Sequence, residues 1–411
     1  MKPFLRLISA GQAYAHIDAF TALDSETANT GQAAGRVLAS EVRSPVDVPH
    51  FDRSNMDGYA VRAADTFGAN DSSSVTLEIS AQMSAGQNEA AQLAAGQAVR
   101  ISTGALMPGG ADSVVMVEYT EEARGDEVLI KQPVAPGENT VAAGEDLRTG
   151  DLMLEPGRRL TAADLGAIAG VGIARLEVCR RPRVAVLVTG DEIVEAGEAL
   201  PPGKVRNVNG YSLPALVVDC GADLHSCRVV RDREEEFAGA LADAAAACDV
   251  VFISGGSSMG TRDLTMASIE GLPGAEVIFH GIAIAPGKPT ILARAGTSAI
   301  MGLPGNPAAA AVVMSFFGQL LVRRLGGEDP GRVRTLRPRT RARLAAAIPS
   351  MEGRDHYARV RMVENSAGLE ARPLLGKSVA LSTMAAADGV VIVPAATQGL
   401  ATGDEVEVLM F

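Results

Sequence analysis

Three short apolar runs, each broken off by a loop rich in glycine or proline, constrain this chain more than any other feature. Residues 184–188 run into Thr189-Gly190-Asp191-Glu192. Residues 249–253 run into Ser254-Gly255-Gly256-Ser257-Ser258-Met259-Gly260. Residues 298–301 run into Gly302-Leu303-Pro304-Gly305-Asn306-Pro307. Helical stretches near 210–219, at 233–247 and at 307–324 alternate with these runs and with a further strand at 223–230. Strand and helix alternating at this spacing imply a parallel sheet covered by helices on both faces. Ligands of such sheets bind beyond the carboxyl ends of the strands, where these three loops lie. Glycine there lets the backbone come close to a ligand.

The rest of the chain has a different texture. Its 411 residues exceed one ordinary core and suggest two to four domains. Residues 1–42 read as helical, with alanine-rich segments around 10–22 and 31–39. From 43 to 145 short β-like runs dominate, at 75–79, 98–102, 113–118 and 127–131, punctuated by glycine and aspartate. Thr161-Ala162-Ala163-Asp164 is a helix-start signal, so helical texture resumes within 146–178. Residues 328–411 carry only short β runs, at 359–363, 369–373, 389–394 and 405–409. The expected class is a multidomain α/β plus β fold. Its parts are a helical domain from 1–42 and 146–178, an inserted β domain at 43–145, an α/β domain at 179–327 and a C-terminal β barrel or sandwich at 328–411.

Candidate chemistry concentrates in the loops. Backbone N–H groups around Gly255 and Gly256, with the hydroxyls of Ser257 and Ser258, suit a phosphate at the start of the following helix. The loop lacks the Gly-Lys-Ser/Thr of a Walker A motif. Asn306 and Pro307 fit an ordinary helix start, but Pro304-Gly305 adds a rigid turn at a strand end. Glu192 and Asp263 lie beside these loops, and a carboxylate pair next to a phosphate suits Mg²⁺. Asp232 reads as a helix cap. Lys288, in Pro286-Gly287-Lys288-Pro289, is a cation on a stiff loop and suits an oxyanion. In the β part, Phe51-Asp52-Arg53-Ser54-Asn55-Met56-Asp57-Gly58-Tyr59-Ala60 holds more aromatic and polar side chains than a hairpin turn needs. Thr103-Gly104 and Gly144-Glu145-Asp146 are weaker signals of the same kind.

Composition excludes several classes. A net charge of −12 without a basic block argues against nucleic acid. Cys179, Cys220, Cys227 and Cys248 form no C-x-x-C pair and read as buried thiols of a reducing compartment, so a cytoplasmic protein is expected. Arg6 and Gln12 interrupt the apolar start, against a signal peptide. The longest apolar stretch, 308–322, is about fifteen residues, short for a membrane span and normal for a buried helix.

Ser44-Pro45-Val46-Asp47-Val48-Pro49 and the run from Phe51 to Arg62, together with Thr103-Gly104-Ala105, Gly144-Glu145-Asp146 and the strand-end loops, resemble one family across the whole chain. That family is the molybdopterin molybdenumtransferases, bacterial MoeA, related to the E domain of gephyrin. The resemblance implies a homodimer, held through the helical domain, whose active site lies between the α/β domain of one subunit and the β domain of the other. It implies that adenylyl-molybdopterin and molybdate react with the help of Mg²⁺, releasing AMP as molybdenum joins the dithiolene. Carried over by position, Asp57, Thr103, Asp146, Asp232 and Lys288 become the catalytic candidates. Gly255, Gly256, Ser258, Pro304 and Pro307 would hold molybdopterin or border molybdate, and Glu192 and Asp263 would bind Mg²⁺. A molybdoenzyme or its chaperone would receive the product.

The chain departs from the family pattern at several charged positions. Ala285 stands where a second lysine is usual, Thr140-Val141-Ala142-Ala143 replaces an arginine-rich stretch, and Thr261 replaces an acid. Asn207 lies where an aspartate is usual. These losses leave a second reading open, a non-catalytic paralogue that carries the cofactor or acts as an insertion chaperone.

Overall fold

The computed structural model describes residues 7–123, 125–255, 259–366, 368–374, 376 and 380–411, with the backbone alone for 259–263. The chain forms two compact units. One comprises Met1–Ser40, Pro156–Ala162 and Arg175–Phe411; the other comprises Glu41–Glu155 and Ala163–Ala174.

A six-stranded sheet organises the first unit. Its strands are β1 (Arg183–Thr189), β2 (Asp223–Val230), β3 (Val250–Gly255), β4 (Ala275–His280), β5 (Ile291–Ala295) and β6 (Ser298–Leu303), in the order β2-β1-β3-β6-β5-β4. The four strands from β2 to β6 are parallel, and β5 and β4 close the sheet antiparallel. Both faces of the central strands β1, β3 and β6 are covered, so these three are largely apolar rather than alternating, whereas the edge strand β2 is mostly exposed. Val184, Val186 and Val188 of β1 point to one core with Val250 and Phe252 of β3. Ala185 and Leu187 point to the other with Val251 and Ile253. Helix α1 (Asn209–Asp219) sends Leu213 and Val217 into the first core. Helix α2 (Glu234–Ala247) sends Phe237, Ala240 and Leu241 into the second. From β1 the chain therefore turns one way to β2 and the opposite way to β3, and the strand order reverses between β1 and β3.

Helix α3 (Met259–Glu270) follows β3, and a long helix, α4 (Pro307–Leu325), follows β6. Among the described residues α4 alone is long and apolar enough to cross a membrane, yet most of it is buried in the first core. A π turn at Met314–Gly318 interrupts it, and Phe317 there is fully buried and stacks on Tyr14 at 4.8 Å. Tyr14 belongs to the helix Ala10–Asp18, whose start is fixed by a reciprocal pair: Gln12 N–H donates to Ser9 Oγ and Ser9 N–H to Gln12 Oε1.

Five strands near the C-terminal end close a barrel: Arg339–Leu344, Asp355–Asn365, Gly368–Pro373, Gly389–Val393 and Glu405–Met410. Val360, Val391, Val393 and Val408 fill it. The second unit is built on a mixed six-stranded half-barrel in which Gly58–Val61 is wholly buried between Ser113–Met116 and Gln97–Ile101.

Two expectations fail at the level of elements. Residues 31–39 are not helical: a short 3₁₀ turn covers Thr30–Gln32, Gly35 takes a positive φ, and Val37 and Leu38 make bridges to Arg159 and Val178. Alanine content misleads here because glycines interrupt the run and apolar residues are taken up by pairing. The stretch 146–178 likewise holds strands, Leu152–Leu154 and Arg175–Cys179, around its one helix, Ala162–Gly170. Cys227, expected to be buried, is exposed on the edge strand β2, whereas Cys179, Cys220 and Cys248 are buried.

The sheet is also held at its base by charge. Asp249, just before β3, accepts two bonds from Arg180, at 2.9 and 2.8 Å, and one from Arg183 N–H at 2.7 Å. Burial would raise its pKa, but these donors prevail and hold it below the ordinary carboxylate value. A depressed folded-state pKa contributes stability above the unfolded value that is lost as pH falls through the folded one. Asp249→Asn is therefore expected to cost about 1.5–3 kcal/mol at neutral pH. In urea titrations the gap from wild type should narrow as pH drops below about 4.

Candidate functional site

A cavity of about 500 Å³ opens at the carboxyl ends of β1, β3 and β6, where the strand order reverses. This is where an open α/β sheet leaves a crevice for ligand. Thr189 and Gly255, the last residues of β1 and β3, are paired neighbours in the sheet. A side chain at Gly255 could not be housed, because a Cβ would fall 2.1 Å from the Thr189 carbonyl oxygen and φ is +125°. Glycine is thus required for the two strand ends to meet.

Glu192 lines the cavity. Its carboxylate lies over the backbone of Gly190, whose missing Cβ would fall 2.8 Å from Oε2. Asp232 also lines the cavity, and it does not cap a helix as its sequence position suggests. The cap position of α2 belongs to Arg233, which makes no side-chain cap bond. Asp232 instead accepts a short hydrogen bond from Thr189 Oγ1. A carboxylate anchored by one oxygen keeps the other for a ligand.

Asn209 joins the strand ends from α1. Its amide donates to Ser254 Oγ at 2.7 Å and to the Gly305 carbonyl at 2.9 Å. Ser254 in turn donates to the Pro304 carbonyl at 3.4 Å. The end of β3 and the Pro304-Gly305 turn are thereby tied together. Pro307 and Gly255 lie in the cavity wall; Pro304 is buried behind it. Asn306 holds the cap position of α4 without a side-chain cap bond.

Two cations in the wall escaped sequence analysis. Lys204 donates to the Asp191 carbonyl at 2.6 Å and Arg206 to the Glu195 carbonyl at 2.7 Å. Neither forms an ion pair among the described residues, so both cations stand unneutralised by direct contact in a wall that also holds Glu192 and Asp232. Their placement depends on a two-residue parallel pairing of Ile193–Val194 with Val205–Arg206. Only the Pro201-Pro202-Gly203 turn between them hints at that return. Lys288 is exposed and is not part of the cavity wall. Gly256 and Ser258 lie outside the described residues. Asp263 is on α3, with its side chain outside them.

The other candidates gather in the second unit. Asp57 precedes the buried strand Gly58–Val61, and its Oδ1 accepts the Thr103 N–H at 2.7 Å, so these two are brought together. Gly58 is forced by packing, since a Cβ there would meet the Val115 carbonyl oxygen at 1.9 Å. The Met56-Asp57-Gly58 segment is thus the entry to a central strand rather than a hairpin turn. Asp146 is exposed, and its backbone N–H donates to the Val48 carbonyl at 3.0 Å.

Comparison with known proteins assigns these parts. Residues 8–172 match the MoeA N-terminal region (domain I and II), 185–324 a probable molybdopterin binding domain, and 341–411 the MoeA C-terminal region (domain IV). The chain belongs to the molybdopterin molybdenumtransferase family. A molybdopterin molybdenumtransferase of Nostoc sp. is 38% identical over 75% of this chain and 71% of its own length. That of Bacillus subtilis is 34% identical over 91% of this chain and 87% of its own. A solved molybdopterin biosynthesis MoeA protein from Pyrococcus horikoshii superposes with a TM-score of 0.84 at 27% identity, covering 99% of this chain and 100% of that one. Another, 36% identical, gives 0.82 over 98% and 99%.

Two substitutions probe the strand ends. Gly255→Ala must push β3 away from β1, and activity is expected to fall by about 10²-fold, in line with small displacements of reacting groups. Thr189→Val keeps the volume and removes the donor to Asp232. It is expected to cost about 1 kcal/mol in urea denaturation and to lower turnover more than substrate affinity.

Proposed function

We propose that this chain catalyses the last step of molybdenum cofactor synthesis: adenylyl-molybdopterin and molybdate give molybdenum cofactor and AMP. The observation that carries this reading is the cavity at the strand-order reversal, lined by Lys204, Arg206, Glu192 and Asp232, within a domain matching the molybdopterin-binding type. Cations without carboxylate partners suit an anionic substrate in a chain of net charge −12. Lys204 and Arg206 would hold phosphate or molybdate oxygens. Asn209 and Ser254 would keep the two loops in register around the substrate. Asp232, held by Thr189, would orient a proton-bearing group of the substrate.

The donor set fits Mg²⁺. Glu192 makes no side-chain bond among the described residues, and hard carboxylate oxygens with phosphate and water complete the shell this ion prefers. No group of three acidic, histidine or cysteine side chains forms a cage among the described residues. Glu192 and Asp263 would be its protein ligands, and the ion would neutralise charge on the phosphoanhydride. Asp57, Thr103 and Asp146 belong, in this reading, to a homodimer in which the β unit of one subunit completes the cavity of the other. Lys288 would attract molybdate from the exposed loop after Ala285. The cysteines, all free thiols, support a cytoplasmic location.

The test measures AMP released from adenylyl-molybdopterin by the purified chain with and without molybdate and Mg²⁺. Release is expected to need both. Asp57→Asn and Asp263→Asn are each expected to slow it by about 10²-fold or more, the scale for groups acting on the transition state. Rates equal to wild type in both variants would remove the site assignment. Tight pterin binding without AMP release would show a cofactor carrier instead. Restoration of nitrate reductase activity in a strain lacking its molybdenumtransferase checks the same reading in cells.

A further inference from the structure

We propose that a second cavity, between the C-terminal barrel and the helices packed on it, is a separate binding site for a small aromatic phosphate. The cavity has a volume of about 650 Å³ and shares no residue with the strand-end cavity. That volume lies within the range of roughly 300–1,000 Å³ typical of small-molecule sites.

Charge makes this place exceptional. In a chain of net charge −12, seven arginines and three acids line one cavity, a formal +4. Asp18 pairs Arg334 at 2.7 Å from outside the lining, so the charge open to a ligand is carried by Arg332 and Arg337. The three lining acids are engaged. Glu328 serves Arg159 at 2.6 Å and Arg323 at 3.9 Å, Glu407 serves Arg339 at 3.2 Å, and Asp329 accepts the Arg332 backbone N–H at 2.6 Å. Arg332 and Arg337 have no carboxylate partner among the described residues.

Arg337 is the more telling of the two. Its Nε and Nη1 donate to the carbonyls of Met410 and Ser315, at 3.2 and 3.1 Å, and its guanidinium lies 3.9 Å from the Phe316 ring centre. These contacts hold the group over the ring without neutralising it. Burial pushes its pKa down to about 10, the mark of a desolvated cation lacking a counter-ion. Arg337 keeps Nη2 without a bond among the described residues, and Arg332 lines the same cavity; two such guanidinium groups suit an oxyanion. Two arginines without carboxylate partners suit a phosphate dianion better than a single carboxylate. Tyr14, Phe316, Leu320, Ile392 and Leu409 supply an aromatic and aliphatic wall for a flat ring.

The probe is phenyl phosphate, titrated calorimetrically into the full-length chain at low salt, with benzoate and inorganic phosphate as comparison ligands. Saturable binding near one per chain is expected, weaker for both comparison ligands. Arg337→Gln should weaken it about tenfold or more and Arg332→Gln several-fold, with AMP release unchanged. Arg332 is exposed and its side chain bonds to nothing described, so its variant keeps the fold if Arg337→Gln does not. Asp232→Asn, in the other cavity, should bind as wild type does. Absence of saturable binding, wild-type affinity in both arginine variants, or loss in Asp232→Asn alone would overturn the site. Benzoate binding equally well would overturn its assignment to a phosphate, and inorganic phosphate doing so would overturn the aromatic part.

Discussion

The strand-end cavity depends on one steric fact: the backbones of β1 and β3 meet where Gly255 passes the Thr189 carbonyl. Any side chain at Gly255 would occupy the space of that oxygen. The two strands could then stay paired only lower down, and the loops would separate. Everything above the contact is organised by it. Glu192 folds back over Gly190 on the same side, and Asn209 binds the β3 end to the Pro304-Gly305 turn. The two apolar cores on either face of the sheet supply the stability that holds so close an approach in place.

Electrostatics then decides what the cavity can hold. The chain is acidic overall, so an anionic ligand is repelled at long range and must be attracted locally. Lys204 and Arg206 provide this because their bonds go to carbonyl oxygens, which position a cation without cancelling its charge. Carboxylates in the same wall would oppose an anion unless one is occupied by a hydroxyl and another shares a divalent cation with the ligand. Asp232, bonded to Thr189, and Glu192, with no side-chain bond among the described residues, meet those two conditions.

Much of this was legible in the sequence, for definable reasons. The parallel strands are apolar on both faces, so 184–188, 249–253 and 298–301 stand out as short runs, and their glycine loops mark the strand ends. The C-terminal strands were legible because alternation and turns bracket them. The helix expected at 31–39 failed because composition was read without the ladder that Ser25–Asn29 makes with Arg175–Cys179, a pairing across about 150 residues that no local pattern encodes. Lys204 and Arg206 were missed for a similar reason: a two-residue pairing returns the chain to the cavity. Asp232 was read as a cap because a helix follows it, yet its partner lies 43 positions earlier. The arginine-lined cavity was invisible for the same cause, since its charges come from segments as far apart as Arg159 and Arg339.

Thr189 shows how fold and chemistry are joined in one residue. As the last position of β1 it is buried, and its carbonyl is what denies Gly255 a side chain. Its hydroxyl, on the same residue, supplies the hydrogen bond that fixes Asp232. The strand therefore positions a carboxylate with the same rigidity that it gives its own backbone, whereas a loop residue in that role would carry the loop's motion into the carboxylate. A threonine suits both tasks: β-branching favours the strand, and the hydroxyl finds a partner only at the strand's end, where the apolar core gives way to the cavity. Further down β1 the same hydroxyl would be buried without an acceptor, which is why the polar residue appears at this step of an otherwise aliphatic run.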